Sequence, residues 1–461
     1  MSRTADNRDV RAHAPDGPTL CFVCSPSLGI LDNWLPVLWN LRKASSRITL
    51  VCVLPRPRSV DELDLSNVLV VLAGTVFDRV MFRSHAGNWL STPTFPEAVA
   101  LHRLGRGEAV WHNVANRLQA GRLTAPASRA LRRGLELLER CGRARADAVV
   151  RPETVLEPVR AVLYDITEEL KDYNADVMRC LDGVPRFSLL HGIELKSPTA
   201  GPQQSYELTS IRASATAYLF SDLERDLYRH GRDMTLRVVG IPRHEPQWMQ
   251  TIIEHGSAAA AELGEGFIFV ISKPVNKRYL FRERKRQALE HIRRLASELG
   301  RKVVIKRHPK EHADGLCEDV FGREAYGERW AYSNLHPFVL GTRCAFAISL
   351  RSSVVLDMIA VGTPVIELVD LRGIPRYDHP DAPRDEQGEP VLGYRSWGLV
   401  LGASEYGRLK RHAEEILEAR DRVVRPLVSR YRELFPLAPD AAASMAQDVL
   451  NTAAQPAARA S

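Results

Sequence analysis

Short, nearly continuous apolar runs alternate with amphipathic or charged stretches along the chain, the pattern of an α/β fold with parallel sheets buried on both faces. In the first half the strand-like runs are "TLCFVCSP" (19–26), "ITLVCVLP" (48–55), "VLVVLAG" (68–74), "AVLYDI" (161–166), "FSLLHG" (187–192), "AYLFS" (217–221) and "LRVVGIP" (236–242). Between the third and fourth lies a basic segment, about 85–150, whose "ASRALRRGLELLERC" has helical spacing and reads as an inserted helical element. The rhythm breaks near 244–264 and then restarts. "GFIFVIS" (266–272), "KVVIKRHP" (302–309), "CAFAISL" (344–350), "TPVIELV" (363–369) and "WGLVL" (397–401) read as strands. The helical stretches among them are "KRYLFRERKRQALEHIRRLASELG", "SSVVLDMIAVG" and "SEYGRLKRHAEEILEARDRVV".

This pattern predicts a disordered leader at 1–17, a first unit at 18–245, a second at 262–436 and a disordered Ala- and Pro-rich tail at 437–461. A chain of 461 residues is too long for one ordinary core, which agrees with two units. Two doubly wound halves leave a cleft between the carboxyl ends of their strands, where such sheets bind ligands. Polar residues at those ends therefore carry the most information.

"SLRSSVVLDMIAVGTPVIE" (349–367) has such an end. Arg351, Ser352 and Ser353 follow a strand and open a helix, where backbone N–H groups and the helix dipole favour an anion. Hydroxyls add donors without bulk, and an arginine adds a planar fork; a single serine would already serve as an N-cap. "VVIKRHPKEH" delivers Lys306, Arg307 and His308 to the same edge, with Pro309 ending the strand. Imidazolium there neutralises a phosphate or protonates a leaving oxygen. In the first half, "FSLLHGIELK" places His191 and Gly192 at a strand end, where a neutral imidazole is able to deprotonate an acceptor hydroxyl. "VVGIPRHE" adds Arg243, which either meets a phosphate across the cleft or pairs with Glu245.

Net charge is +7, which suits anionic small molecules, nucleic acid or an acidic membrane surface. Much of it sits in "NKRYLFRERKR" (276–286), read as a solvated helix face with docking to anionic lipid as the rival. Basic residues are not interleaved with aromatics, so nucleic acid is not the expected partner. No apolar run approaches the ~20 residues that span a bilayer. The start "MSRTADNRDVRAHAPDG" lacks the apolar segment of a secretory signal, giving an expected cytoplasmic location. Of the seven cysteines, Cys21 and Cys24 form the only C-x-x-C. Within a strand they point to opposite faces, so they read as core residues rather than metal ligands. There is no G-x-x-x-x-G-K-[ST], no clean G-x-G-x-x-G after the first strand and no G-x-S-x-G.

Four segments in order, "LHGIELK", "VGIPRHE", "IKRHP" and "LRSSVVLDMIAVGTPVIE", resemble motifs of the CDP-glycerol glycerophosphotransferase family and its capsule polysaccharide transferase relatives. The His-Pro and serine motifs also resemble those of bacterial CMP-sialic-acid-using transferases. The resemblance spans about 187–369. It implies a GT-B type fold, with two Rossmann-like doubly wound domains facing a cleft: an acceptor domain first, a donor nucleotide domain second. It implies transfer from a nucleotide-activated donor, CDP-glycerol, another CDP-polyol, or a CMP- or UDP-sugar. The acceptor would be carbohydrate or lipid-linked, in surface polysaccharide, capsule or teichoic-acid-like polymer synthesis at the inner face of the plasma membrane. No cofactor and no bound metal are implied.

Carried over by residue, His191 matches the proposed catalytic base and His308 the histidine beside the donor phosphates. Ser352 and Ser353 match phosphate-binding hydroxyls; Arg351, Lys306 and Arg243 are further candidates for the donor. Lys196, Glu194, Asp357 and Glu367 are candidates for acceptor or ribose contacts. The sequence departs from the family at Leu190, Ile193-Glu194, His244-Glu245 and Leu350-Arg351, which bears on donor and acceptor identity. Two alternatives stand beside the transferase: a GT-B type sugar-nucleotide epimerase, and a non-catalytic nucleotide-sugar-binding assembly subunit.

Overall fold

The structure, a computed structural model, describes residues 17–24, 28–55, 67–84, 87–102, 149–165, 175–190, 192, 215–228, 234–308, 311, 314–391 and 393–455. The first sheet has eight strands: β1 (Thr19–Val23), β2 (Thr49–Leu54), β3 (Arg79–Arg83), β4 (Trp89–Thr92), β5 (Val159–Asp165), β6 (Arg186–Leu189), β7 (Ala215–Leu219) and β8 (Thr235–Val238). Their order is β4-β3-β2-β1-β5-β6-β7-β8, parallel except where β4 runs against β3. The second sheet is β9 (Ile268–Ile271), β10 (Val303–Lys306), β11 (Trp330–Tyr332), β12 (Phe346–Ser349), β13 (Val365–Leu368) and β14 (Leu401–Ala403), ordered β11-β10-β9-β12-β13-β14 and wholly parallel. In both sheets the strand order reverses at the first strand, so the switch points lie at β1/β5 and β9/β12.

Helices cover both sheets: α1 (Leu28–Ala44), α2 (Val68–Val76), α3 (Pro152–Leu156), α4 (Ala175–Cys180), α5 (Pro246–Ala260), α6 (Arg282–Leu299), α7 (Leu316–Phe321), α8 (Pro337–Arg343), α9 (Val354–Ala360), α10 (Tyr406–Leu434) and α11 (Ala441–Ala453). Because β1 is buried on both faces, Leu20, Phe22 and Cys24 enter one core while Cys21 and Val23 enter another. The larger core continues from the first sheet through Trp248 and Phe338 to Val355, Ala347 and Val365 beside the second.

Several expectations need correction. "VLVVLAG" is not a strand but α2, capped by Asn67, whose side chain accepts the Leu69 N–H at 2.9 Å. An apolar run of that length fits a buried helix as well as a strand, and the cap decides between them. The third strand is instead β3, "RVMFR", whose charged ends hide its apolar centre. The tail is not frayed: α11 packs on α1 with Met445, Ala446 and Val449 buried, since small alanines favour helix and allow close approach. The last strand lies at 401–403 rather than 397–401, and the final long helix continues to Leu434 across a kink at Ala419. The break at 244–264 contains α5, whose N-cap, Glu245, accepts the Ala442 N–H of α11 at 2.7 Å. The leader to residue 16 and most of the expected helical insertion lie outside the described residues.

Candidate functional site

Three adjacent strands of the second sheet, β10, β9 and β12, end in register at Lys306, Ile271 and Ser349. The chain after each of them builds the rim at the β9/β12 switch point. After β12 it turns sharply: the Ser349 Oγ accepts the Ser352 N–H at 3.0 Å, and Arg351 is held at φ 69°. That left-handed conformation costs a non-glycine residue about 1–2 kcal/mol, a strain that persists only where surrounding contacts fix it. Buried Ser352 turns its Oγ to the Val354 N–H at 3.4 Å. Ser353 opens α9 without spending its hydroxyl on a cap. A Cβ on Gly192, beyond β6 of the first sheet, would stand 3.6 Å from that hydroxyl, so Ser353 faces the opposite half across a narrow gap. With α9 only seven residues long, an anion here relies on side chains more than on a helix dipole.

The Arg351 guanidinium lies 4.7 Å from the centre of the Tyr279 ring, which meets Tyr377 edge-on. Tyr279 and Tyr394 are buried. Glu367, at the end of β13 and paired in register with Ser349, is also buried, and its Oε2 has no hydrogen-bond partner. Burial pushes the Glu367 carboxyl up to about 7, against the pull of Arg351, Arg395 and Lys273.

On the β10 side, the His308 N–H donates to Glu311 Oε2 at 3.2 Å, and the Glu311 N–H returns to the His308 carbonyl at 2.8 Å. Lys306 engages the chain that follows β11. Its Nζ donates to the carbonyls of Asn334 and Leu335 at 3.2 and 2.9 Å, and enclosure by protein lowers its pKa to about 8 against Asp32 and Asp357.

Arg243 and Asp357 belong to a second constellation, buried between the two sheets. Arg243 bridges Asp32 of α1 at 3.2 Å and Asp357 of α9 at 2.8 Å, rather than pairing with Glu245. His336 accepts the Phe338 N–H at Nδ1, so Nε2 carries the proton donated to Asp32 at 3.1 Å. His244 lies between the Tyr431 hydroxyl at 2.5 Å and Asp357 at 2.7 Å. Burial pulls the His244 pKa down despite Asp357, so the neutral ring donates from Nε2 to the carboxylate and accepts the phenol proton at Nδ1. Burial also pushes Asp32 up, but His336 and Arg243 outweigh it and hold that carboxylate below its usual range.

The sequence candidates thus fall into two groups. Arg351, Ser352, Ser353, His308 and Glu367 lie along the carboxyl edge of the second sheet, whereas Arg243 and Asp357 meet at the buried junction and half-buried Lys306 is held by the Asn334 and Leu335 carbonyls. His191, Glu194 and Lys196 lie outside the described residues; Leu190, the residue before His191, gives its carbonyl to Asn33 Nδ2 at 2.7 Å. Sequence reasoning missed Asp32, His336, Tyr279 and Glu311. Among the described residues no group of three or more His, Cys, Asp or Glu side chains is placed to hold a metal, and no helix is long and apolar enough to cross a membrane.

The protein has the GT-B type fold: two Rossmann-like α/β units with their strand order reversing at matching places. No protein-family model matches the chain, and no curated protein matches it. Among solved structures it is similar to the Staphylococcus aureus MnaA–UDP complex, at a TM-score of 0.51 and 11% identity over 93% of this chain and 94% of that one. A Listeria monocytogenes protein provisionally assigned as a UDP-N-acetylglucosamine 2-epimerase gives 0.51 and 12%, covering 95% and 98%. The Medicago truncatula UGT71G1 complex with UDP-glucose gives 0.46 and 11%, covering 95% and 98%. At such identities the likeness is one of fold.

Proposed function

We propose that this protein is a GT-B transferase that moves a glycosyl or polyol-phosphate group from a nucleotide-activated donor to a carbohydrate or lipid-linked acceptor in surface-polymer synthesis. The observation that carries this proposal is the uncapped Ser353 hydroxyl, next to Ser352 at a switch-point rim and facing the opposite sheet across Gly192. Ser352, Ser353 and His308 hold the donor phosphates, and Glu367 accepts hydrogen bonds from the ribose. His191 deprotonates the acceptor hydroxyl, which attacks the anomeric carbon or the donor phosphorus. Enclosure between the two halves excludes water and strengthens each of these interactions. The similarity of fold to a protein solved with UDP supports a nucleotide as the common ligand.

A sugar-nucleotide epimerase is the second reading, favoured by the name of the Listeria protein at the same TM-score. Incubation with CDP-glycerol, CMP- and UDP-sugars, with and without oligosaccharide or polyprenyl-linked acceptors, separates the two. A transferase releases nucleotide and lengthens the acceptor only when both are present. Appearance of an epimeric sugar nucleotide from donor alone would replace the transferase with the epimerase.

A further inference from the structure

We propose that Lys285 and Glu311 form a positioning pair for the donor site, tying the His308 turn to the exit of β9 so that it meets a phosphate bound at Ser352–Ser353. This rests on the donor-site proposal above. The buried face of α6 runs through Lys285, Ala288, Leu289, Ile292, Leu295 and Ala296, a stripe at helical spacing on which every member but the first is apolar. Lys285 is 1% exposed, so the lysine occupies a place where the periodicity calls for a leucine or methionine. Its Nζ pairs with Glu311 Oε1. The same oxygen accepts the Ser272 hydroxyl at 2.9 Å, while Oε2 accepts the His308 N–H.

One carboxylate therefore joins α6, the end of β9 and the turn after β10. The Ser272 N–H in turn donates to the Lys306 carbonyl at 3.0 Å, closing the connection between the two strands. A buried ion pair brings little stability over an apolar pair of similar volume, because desolvating two charges offsets their attraction. What an apolar pair cannot supply is an acceptor for the His308 N–H and the Ser272 hydroxyl. β12 is two strands from β10, roughly 10 Å away at ordinary strand spacing, so a ligand gripped from both ends needs the His308 turn at a fixed height. Lys285 has a second effect. It neutralises the carboxylate, which would otherwise repel an anion bound above it.

The test uses the full-length protein and whichever of UDP, CDP, CMP or GDP binds it most tightly in calorimetry. Glu311→Asp keeps the charge but is too short to serve all three donors. The double variant Lys285→Met/Glu311→Met replaces the pair with apolar groups that keep the fold. Both are expected to weaken nucleotide binding by about tenfold or more, as a misplaced binding group does. Glu311→Gln keeps one acceptor oxygen but turns an amide N–H toward a donor and leaves the buried Lys285 ammonium unpaired, so it too is expected to weaken binding by about tenfold or more. A purely structural pair would shift the melting temperature and leave affinity unchanged. Wild-type-like affinity in Glu311→Asp, or in the double variant if it folds, overturns the proposal. Absence of nucleotide binding by the wild type overturns the donor site itself, a separate failure.

Discussion

Glu367→Gln should make the protein more stable at neutral pH while weakening its grip on a nucleotide. The carboxyl is 4% exposed, and Oε2 lacks a partner. Burial raises its pKa from an ordinary 4.5 to about 7. At ~1.4 kcal/mol per unit, holding it ionised in the fold costs about 3 kcal/mol. The sign follows from where the proton is held. Below pH 4.5 folded and unfolded chains both keep it. Between 4.5 and about 7 the folded state keeps the proton that the unfolded chain has released, so stability falls as pH rises, and above 7 the loss is complete. Glutamine has no such dependence. Urea unfolding of both proteins from pH 4.5 to 8 should show no advantage of the variant at the acid end and up to about 3 kcal/mol at pH 8. The same carboxylate, if it accepts the ribose hydroxyls, should make wild-type nucleotide affinity rise with pH through 7 and the variant's flat and weaker. A stability difference independent of pH, or one favouring the wild type at pH 8, would rule out a Glu367 carboxyl that burial holds protonated.

Arg243→Met strips the shared cation from Asp32 and Asp357, two buried carboxylates on α1 and α9; a loss of about 3–5 kcal/mol in urea unfolding is expected, and a loss below about 1 kcal/mol would show that the bridge does not form. His191→Ala should lower acceptor-dependent turnover by about 10²-fold with nucleotide affinity retained; full turnover would remove His191 as the base.

Central strands were legible because burial on both faces leaves them nearly free of polar residues, as "TLCFVCSP" and "CAFAISL" show. Short strands were not: β11 is the three residues "WAY", and β3 presents arginine at both ends. The rim of the candidate site could be read because Ser352, Ser353 and His308 follow recognisable strands by a few residues. The buried junction could not, since Asp32 meets Arg243 across 211 positions of chain and no local pattern announces it. Lys285 disappeared into a run of six cations, yet its place on the apolar stripe of α6 is visible once the helix phase is fixed. The stacking of Arg351 on Tyr279 could not be read either, since it depends on a loop about seventy residues earlier folding over the same edge.

Calorimetric titration of UDP, CDP, CMP and GDP into the wild type and into Ser352→Ala/Ser353→Ala tests the donor rim most directly. The wild type should bind at least one of the four, and removing the two hydroxyls should weaken that binding by about tenfold or more. Equal affinity in both proteins, or no binding by the wild type, would contradict a nucleotide-phosphate site at this edge.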